Sequence, residues 1–332
     1  MKKLINNPTA VVDEMLEGFI MAHSGYVRQL ENKRAVVSAL PVRKGKVGVV
    51  CGGGSGHKPA FIGMIGKGLA DGVPVGNIFA SPPPDPILEV TRAVDGGAGV
   101  IYLYGNYAGD CMNFDMAAEM AAMEGIRVET VRVTDDVASA SKSEEEKRRG
   151  IAGDFLVFKA AGAAADKGCD LDEVVRITQK ANASTRTMGV ALSPCSVPQT
   201  RKPSFELGED EMEIGLGIHG EPGVERGKIR PADEVADALL DRIFADMPVN
   251  KGDKVVVLVN GLGSTPYLEL YIMFRRTAQV LAERGISIHR SYVGEYVTSL
   301  EMGGCSISLM KVDDELAEMI DHPADCPMFV QM

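Results

Sequence analysis

The sequence predicts an α/β protein of two domains, each built on a largely parallel or mixed sheet flanked by helices. Short β-branched runs end in Gly-rich loops and are followed by helical stretches, the alternation that produces sheets covered by helices. Aromatic residues make up only 5% of the chain and Trp is absent, whereas Gly (37) and Pro (17) are plentiful, which favours an aliphatic core with many short connections. The length of 332 residues fits two domains at roughly 150 residues each.

The elements follow in order. Pro8 and Thr9 precede Val11 to Phe19, where apolar residues recur at three- and four-residue spacing, the pattern of an amphipathic helix. Lys46 to Val50 is a buried-strand run feeding Cys51-Gly52-Gly53-Gly54-Ser55-Gly56-His57. Ser81 to Pro86, with four prolines, can be neither helix interior nor central strand and reads as a loop beside the site. Gly99 to Tyr104 is a second strand, feeding Gly105-Asn106-Tyr107-Ala108-Gly109-Asp110, with a helix from Asn113 to Glu124. Lys142 to Arg149 is a charged, solvated segment, and helices follow over Ile151 to Lys167 and Leu171 to Asn182.

The second domain is expected to begin near residue 183, dividing the chain into 1–183 and 184–332. Met188 to Ser193 is its first strand and Pro194 to Pro203 a loop. Glu211 to Ile218 alternates with period two and delivers His219-Gly220-Glu221-Pro222-Gly223 at its end. Pro231 to Phe244 is a helix. Lys254 to Val259 is a strand leading into Asn260-Gly261-Leu262-Gly263-Ser264-Thr265 and a helix ending near Arg284. Strands near Ser287 to Val293 and Ser306 to Val312 are expected to close the chain.

Charge and cysteine content narrow the classes. Lys plus Arg number 35 against 46 Asp plus Glu, a net charge of −11, which disfavours nucleic acid and anionic membranes as partners. The six cysteines are scattered and form no CxxC pair, so neither a disulfide framework nor a metal site is expected. No secretory signal is visible and no apolar stretch approaches about 18 residues, so a cytoplasmic protein is expected.

The Gly52 to His57 loop fails three generic motifs. A phosphate loop needs Gly-Lys-Ser or Gly-Lys-Thr at its end, where this chain has Gly56-His57-Lys58-Pro59; a dinucleotide fingerprint and a nucleophile elbow both need Gly at position 57. A nicotinamide-dependent oxidoreductase is correspondingly weak. What remains is an amide-rich loop presenting His57, either a functional imidazole or a structural loop residue. Asp110 is open between a helix N-cap and a catalytic base. His219, among glycines, is open between a bland turn histidine and a functional one. Two imidazoles and a carboxylate at strand ends could serve as nucleophile, base and orienting group for a small polar substrate.

Gly53-Gly54-Ser55-Gly56-His57, Asn106-Tyr107-Ala108-Gly109-Asp110 and Gly217-Ile218-His219-Gly220-Glu221-Pro222-Gly223 closely resemble the dihydroxyacetone-binding K subunits of dihydroxyacetone kinases. The likeness extends over nearly the whole length, through Phe79-Ala80-Ser81-Pro82, Arg148 to Gly153, Lys202 to Phe205, Asn260 to Pro266 and Lys311 to Glu315. The resemblance implies a two-domain α/β subunit, usually a homodimer, that holds a short ketose while a partner transfers phosphate. It implies that His219 attacks the substrate carbonyl and holds the ketose as a hemiaminal. It implies that His57 and Asp110 work on the accepting hydroxyl, and that Gly54, Ser55, Gly56 and Ser81 line the pocket. No cofactor is expected on this subunit. The resemblance implies that nucleotide and Mg belong to a separate L subunit, in bacteria commonly recharged through a phosphotransferase-system M subunit.

Two positions depart from the family pattern. Lys58 stands where Glu is usual, and Gly105 where Lys is usual. Either Lys58 replaces the missing ammonium, or the pocket is reshaped for a four-carbon ketose such as erythrulose. A non-enzymatic ketose sensor that binds a transcription regulator is the other alternative; keeping His57 and Asp110 alongside His219 favours the kinase subunit.

Overall fold

A computed structural model describes residues 2–332, and in it the chain forms two compact units. Unit 1 takes in the chain up to Arg132, together with Val157–Lys180 and Glu318–Met332; unit 2 takes in Val133–Leu156 and Ala181–Ala317. The expected single boundary at 183 therefore needs correcting: 133–156 cluster with the second unit and 318–332 with the first. No change of composition marks either crossing.

In chain order the elements begin with α1 (Val11–Ala22), β1 (Val27–Gln29), β2 (Ala35–Ser38), β3 (Gly48–Cys51), β4 (Gly53–Ser55), β5 (Gly72–Ile78) and α2 (Pro84–Val94). Next come β6 (Val100–Gly105), α3 (Ala108–Met123) and β7 (Val128–Val133). The sheet of unit 1 is ordered β1-β2-β5-β3-β6-β7, with β4 paired to β5 off this path. β3 is parallel to both β5 and β6, while β1 and β2 run antiparallel at one edge. Every residue of β6 is buried, as a central strand covered on both faces requires. Tyr102 and Tyr104 of β6 pack their rings on Phe114 of α3, and the Tyr102 hydroxyl pairs with Thr91 of α2 at 2.6 Å. The proline segment is a loop only as far as Pro83. Pro84 opens α2, because a fixed φ and a missing N–H cost nothing in a first helical turn.

The chain continues through α4 (Asp154–Asp166), α5 (Leu171–Ala183), β8 (Thr185–Ser193), β9 (Glu211–Ile214), β10 (Glu225–Lys228), α6 (Ala232–Asp246) and β11 (Lys254–Gly261). It ends with α7 (Tyr267–Glu283), β12 (Ser287–Gly294), β13 (Gly303–Val312), α8 (Asp314–Asp321), β14 (Ala324–Cys326) and β15 (Phe329–Gln331). A helix and a small hairpin thus follow the strand expected to be last. Unit 2 carries a sheet ordered β10-β9-β8-β13-β11-β12. Only β11 and β12 are parallel in it, so this sheet is mixed and mainly antiparallel. The reason is connectivity: parallel neighbours need a crossover, and α7 supplies one between β11 and β12. Its core gathers Val255, Val257 and Val259 of β11 with Leu239, Leu240 and Ile243 of α6.

The charged segment 142–149 is exposed through Lys147, where a short 3₁₀ turn forms, but Arg148 is buried. Its guanidinium grips the Asp246 carboxylate through Nη1 at 2.9 Å and Nη2 at 2.5 Å. Arg186 adds Nε on Asp246 at 2.6 Å and Nη2 on Glu145 at 2.8 Å. Burial alone would push the Asp246 carboxyl up; the two guanidiniums outweigh it and hold it below the usual range. Arg148→Ala is expected to cost about 3–5 kcal/mol, since it leaves a buried carboxylate short of a partner. Urea unfolding measures it. A depressed folded-state pKa gives stability that is present above the unfolded-state value and lost as the pH falls through the folded one. The gap between wild type and Arg148→Ala should therefore narrow in acid.

Candidate active site

In unit 1 the Gly-rich loop lies at the carboxyl end of β3, where ligands of such sheets collect. Gly54 passes so close to the next loop that a Cβ there would lie 2.7 Å from the Ala80 nitrogen. Ser55 is buried; its Oγ donates to the Gly76 carbonyl at 2.7 Å, and its own carbonyl accepts from Phe79 N–H at 2.9 Å. Gly56 takes φ +110°, a conformation side chains disfavour, and turns the chain into His57. His57 is only 2% exposed. Its ring stacks on Phe79 with centroids 5.1 Å apart and meets Phe61 edge-on at 6.4 Å. Phe79 itself adopts a left-handed φ of +54°, a conformation that costs about 1–3 kcal/mol and is kept where function or packing demands it.

The loop that continues from Phe79 carries Ser81, and Asn113 of α3 donates to the Pro82 carbonyl at 2.9 Å, tying loop to helix. A Cβ at Gly109 would lie 3.5 Å from the Ser81 Cβ. Asp110 follows at once, buried, in the first turn of α3. It is not the N-cap: the helix starts at Ala108, with Tyr107 in that place, so the cap reading of Asp110 is corrected. In unit 1 the loop of Gly54, Ser55, Gly56 and His57 thus packs against residues 79–80, and the loop of Ser81 approaches Gly109, the residue before Asp110 in α3. Lys58 lines a small hollow beside Gly53, Ser55 and Phe61, and burial pulls its ammonium down to about 8. Gly105 is buried at the end of β6.

In unit 2 the alternating run stops sooner than expected. β9 ends at Ile214, because Gly215 takes φ +81° and breaks the extended backbone; His219 stands in the turn beyond it. Glu221 clamps this turn. Its Oε1 is 3.0 Å from His219 Nδ1, its Oε2 accepts the His219 N–H at 2.9 Å, and its carbonyl accepts the Gly217 N–H at 2.9 Å. A carboxylate can only accept, so Nδ1 carries a proton, and in the neutral ring the lone pair lies on Nε2. Burial raises the Glu221 carboxyl, but the His219 hydrogen bond and charge, with Arg149, overcome it and hold the group down to about 2. The Ile218 carbonyl is fixed by the Ser299 hydroxyl.

Behind Glu221 stands Arg149, whose Nη1 is 3.7 Å from Oε2. Arg149 is itself held by Asp136, at 2.9 Å through Nε and 2.8 Å through Nη2. Sequence reasoning gave no role to Glu221, Arg149 or Asp136. Glu221 had a usable signal, a carboxylate two residues after a candidate histidine inside a glycine turn. Arg149 and Asp136 had none, being remote from it in sequence.

Residues 17–328 match the Dak1 domain. The chain is 51% identical over 330 residues to the dihydroxyacetone-binding subunit DhaK of a PTS-dependent dihydroxyacetone kinase 2 from Listeria innocua, covering 99% of each chain. It is 48% identical to a D-erythrulose kinase of Mycolicibacterium smegmatis, covering 99% of this chain and 56% of that one. The crystal structure of the dihydroxyacetone kinase of C. freundii superposes with a TM-score of 0.91 at 33% identity, over 99% of this chain and 60% of that one. With most of its length matched, and a relative at 51% identity from end to end, the chain belongs to the Dak1 family.

Proposed function

We propose that this chain is the ketose-binding subunit of a dihydroxyacetone kinase, capturing its substrate covalently on His219. The observation that carries the reading is the hydrogen bond of His219 Nδ1 to Glu221 at 3.0 Å, which assigns the nucleophilic lone pair to Nε2. Nε2 adds to the ketone carbon; the π electrons move to the carbonyl oxygen, which takes a proton from solvent. The product is a hemiaminal on a cationic ring, and the ionised Glu221 beside Nδ1 stabilises that charge. Polyols such as glycerol have no carbonyl and are refused by chemistry rather than size.

Capture presents a terminal hydroxyl for phosphorylation. Asp110 is the base that takes the hydroxyl proton, with His57 assisting, and Gly54, Ser55, Gly56 and Ser81 bind the substrate. Positioning of this kind supplies much of the catalysis in phosphoryl transfer. The phosphate comes from a nucleotide held with Mg on a separate L subunit, recharged by a phosphotransferase-system M subunit. The subunit works as a homodimer in the cytoplasm; no helix among its described residues is long and apolar enough to cross a membrane.

Lys58 favours a second reading of the substrate. A half-buried ammonium where the family usually has Glu, with Gly105 in place of the usual Lys, suits erythrulose, the substrate named for relatives such as the D-erythrulose kinase. The deciding experiment compares dihydroxyacetone with both erythrulose enantiomers at saturating donor and L subunit. A higher kcat/KM for dihydroxyacetone is the expected result; a tenfold preference for either erythrulose reassigns the substrate. Absence of transfer to all three overturns the kinase reading.

A further inference from the structure

We infer that Asp136 and Arg149 are positioning residues that hold Glu221 against His219 and set how readily the imidazole takes up a proton. The inference rests on reading His219 as the capturing nucleophile. The four groups form a chain of alternating character: carboxylate, guanidinium, carboxylate, imidazole. Asp136 is 1% exposed and is fixed before it touches Arg149, since the Ala138 N–H donates to its Oδ1 at 3.0 Å. The two residues are also joined through the backbone, Asp136 N–H to the Arg149 carbonyl at 3.1 Å, and through Ser139, whose Oγ accepts the Arg149 N–H at 3.0 Å. The guanidinium is therefore anchored on its Asp136 side and directs Nη1 at Glu221.

Gly217 supplies independent support. A Cβ at this position would lie 2.2 Å from Glu221 Oε2 and 2.5 Å from Arg149 Nη1. Its φ is not in the left-handed region, so what the position demands is the absence of a side chain where guanidinium and carboxylate meet. The turn that carries His219 is built around this contact.

The charges have a definite consequence. Arg149 compensates Glu221, so the ring keeps a hydrogen-bonded partner without a full negative charge drawing a second proton onto Nε2. A protonated ring has no lone pair for the ketone. Removing the guanidinium should move the protonation midpoint of His219 up. Removing the charge of Asp136 leaves Arg149 less compensated and should move it down. Burial, with Asp135 adjacent and Arg149 opposing, raises the Asp136 carboxyl to about 6. As the pH falls through that value Asp136 loses its charge and Arg149 acts more strongly on Glu221. Two further carboxylates touch this network, Glu213, whose Oε1 accepts the Gly223 N–H at 2.6 Å, and Asp135, next in the chain to Asp136, and both stay unchanged in the comparison.

The test needs no ketose. Ring-nitrogen NMR of ¹⁵N-histidine-labelled protein, with the His219 signals identified by their loss in His219→Ala, follows tautomer and midpoint together. Wild type should show the proton on Nδ1. Arg149→Gln should raise the midpoint by roughly half a pH unit or more, Asp136→Asn should lower it, and Arg149→Lys should fall between Arg149→Gln and wild type. Gly217→Ala changes no charge and should release the Nδ1–H tautomer. Midpoints that move in the same direction, or not at all, overturn the inference, as does a wild-type proton on Nε2. If Arg149→Gln does not fold, Arg149→Lys and Gly217→Ala carry the comparison. If the titrations behave as stated while wild type forms no adduct with ¹³C-labelled dihydroxyacetone, the capture reading fails and the positioning of His219 stands.

Discussion

His219→Ala is expected to abolish covalent capture of the ketose and to lower kcat/KM for phosphate transfer by about 10³-fold or more, because the acceptor hydroxyl is then no longer presented in a fixed geometry. The measurement is ¹³C NMR of protein mixed with dihydroxyacetone labelled at its carbonyl carbon, beside a coupled assay with the L subunit. The His219 side chain is 22% exposed and sits in a turn, so its removal should leave unfolding nearly unchanged. A variant that still shows the protein-bound carbon signal, or still transfers phosphate at the wild-type rate, rules out His219 as nucleophile. Glu221→Gln is a milder companion. The amide can still accept from Nδ1, but it no longer offsets the charge of the adduct, so capture should weaken without vanishing.

The second large effect separates chemistry from capture. Asp110→Asn should leave the adduct intact and reduce turnover by about 10² to 10⁴-fold, the range associated with a positioned base. The substitution is nearly isosteric and falls in the first turn of α3, where an amide is tolerated, so the fold should survive. Loss of the adduct would give Asp110 a binding role instead. If Asp110→Asn keeps most of its turnover while His57→Gln loses it, the base is His57. Because the His57 ring is sandwiched with Phe79, His57→Gln must be checked by its unfolding curve before the two are compared.

How much of this was legible in the sequence varies with distance along the chain. β3, β6 and β11 were readable because unbroken apolar runs are what a doubly covered strand needs, and the loops behind them because glycines gather at the strand ends. β5 was not, since Pro74 and Gly76 interrupt its pattern; yet it delivers Phe79 to the face of His57. The extended reading of 211–218 failed at Gly215, where alternation continues in the residue types while the backbone has already turned. Asp110 was identified as important, but its helix begins earlier than the apolar pattern does, which changed its place from cap to first turn. The partners of His219 were the largest gap: Arg149 and Asp136 come from a stretch far upstream, and no local pattern encodes a pairing set by the tertiary fold.

The way the two units share the chain bears on how the protein comes into being. Polypeptides leave the ribosome amino end first, and domains that are contiguous stretches can fold in that order. Here unit 1 is still incomplete when most of the chain has been made. Lys159 directs its ammonium at the carbonyls of Met319 and His322, at 3.1 and 2.6 Å, and Gly68 lies against the Pro323 carbonyl so closely that a Cβ would come within 2.1 Å of it. Until residues 318–332 emerge, the Lys159 ammonium lacks these two carbonyls and the loop around Gly68 lacks the backbone it is shaped to meet. The histidine loop of unit 1 is thus synthesised before unit 2, while the unit that houses it is finished after unit 2.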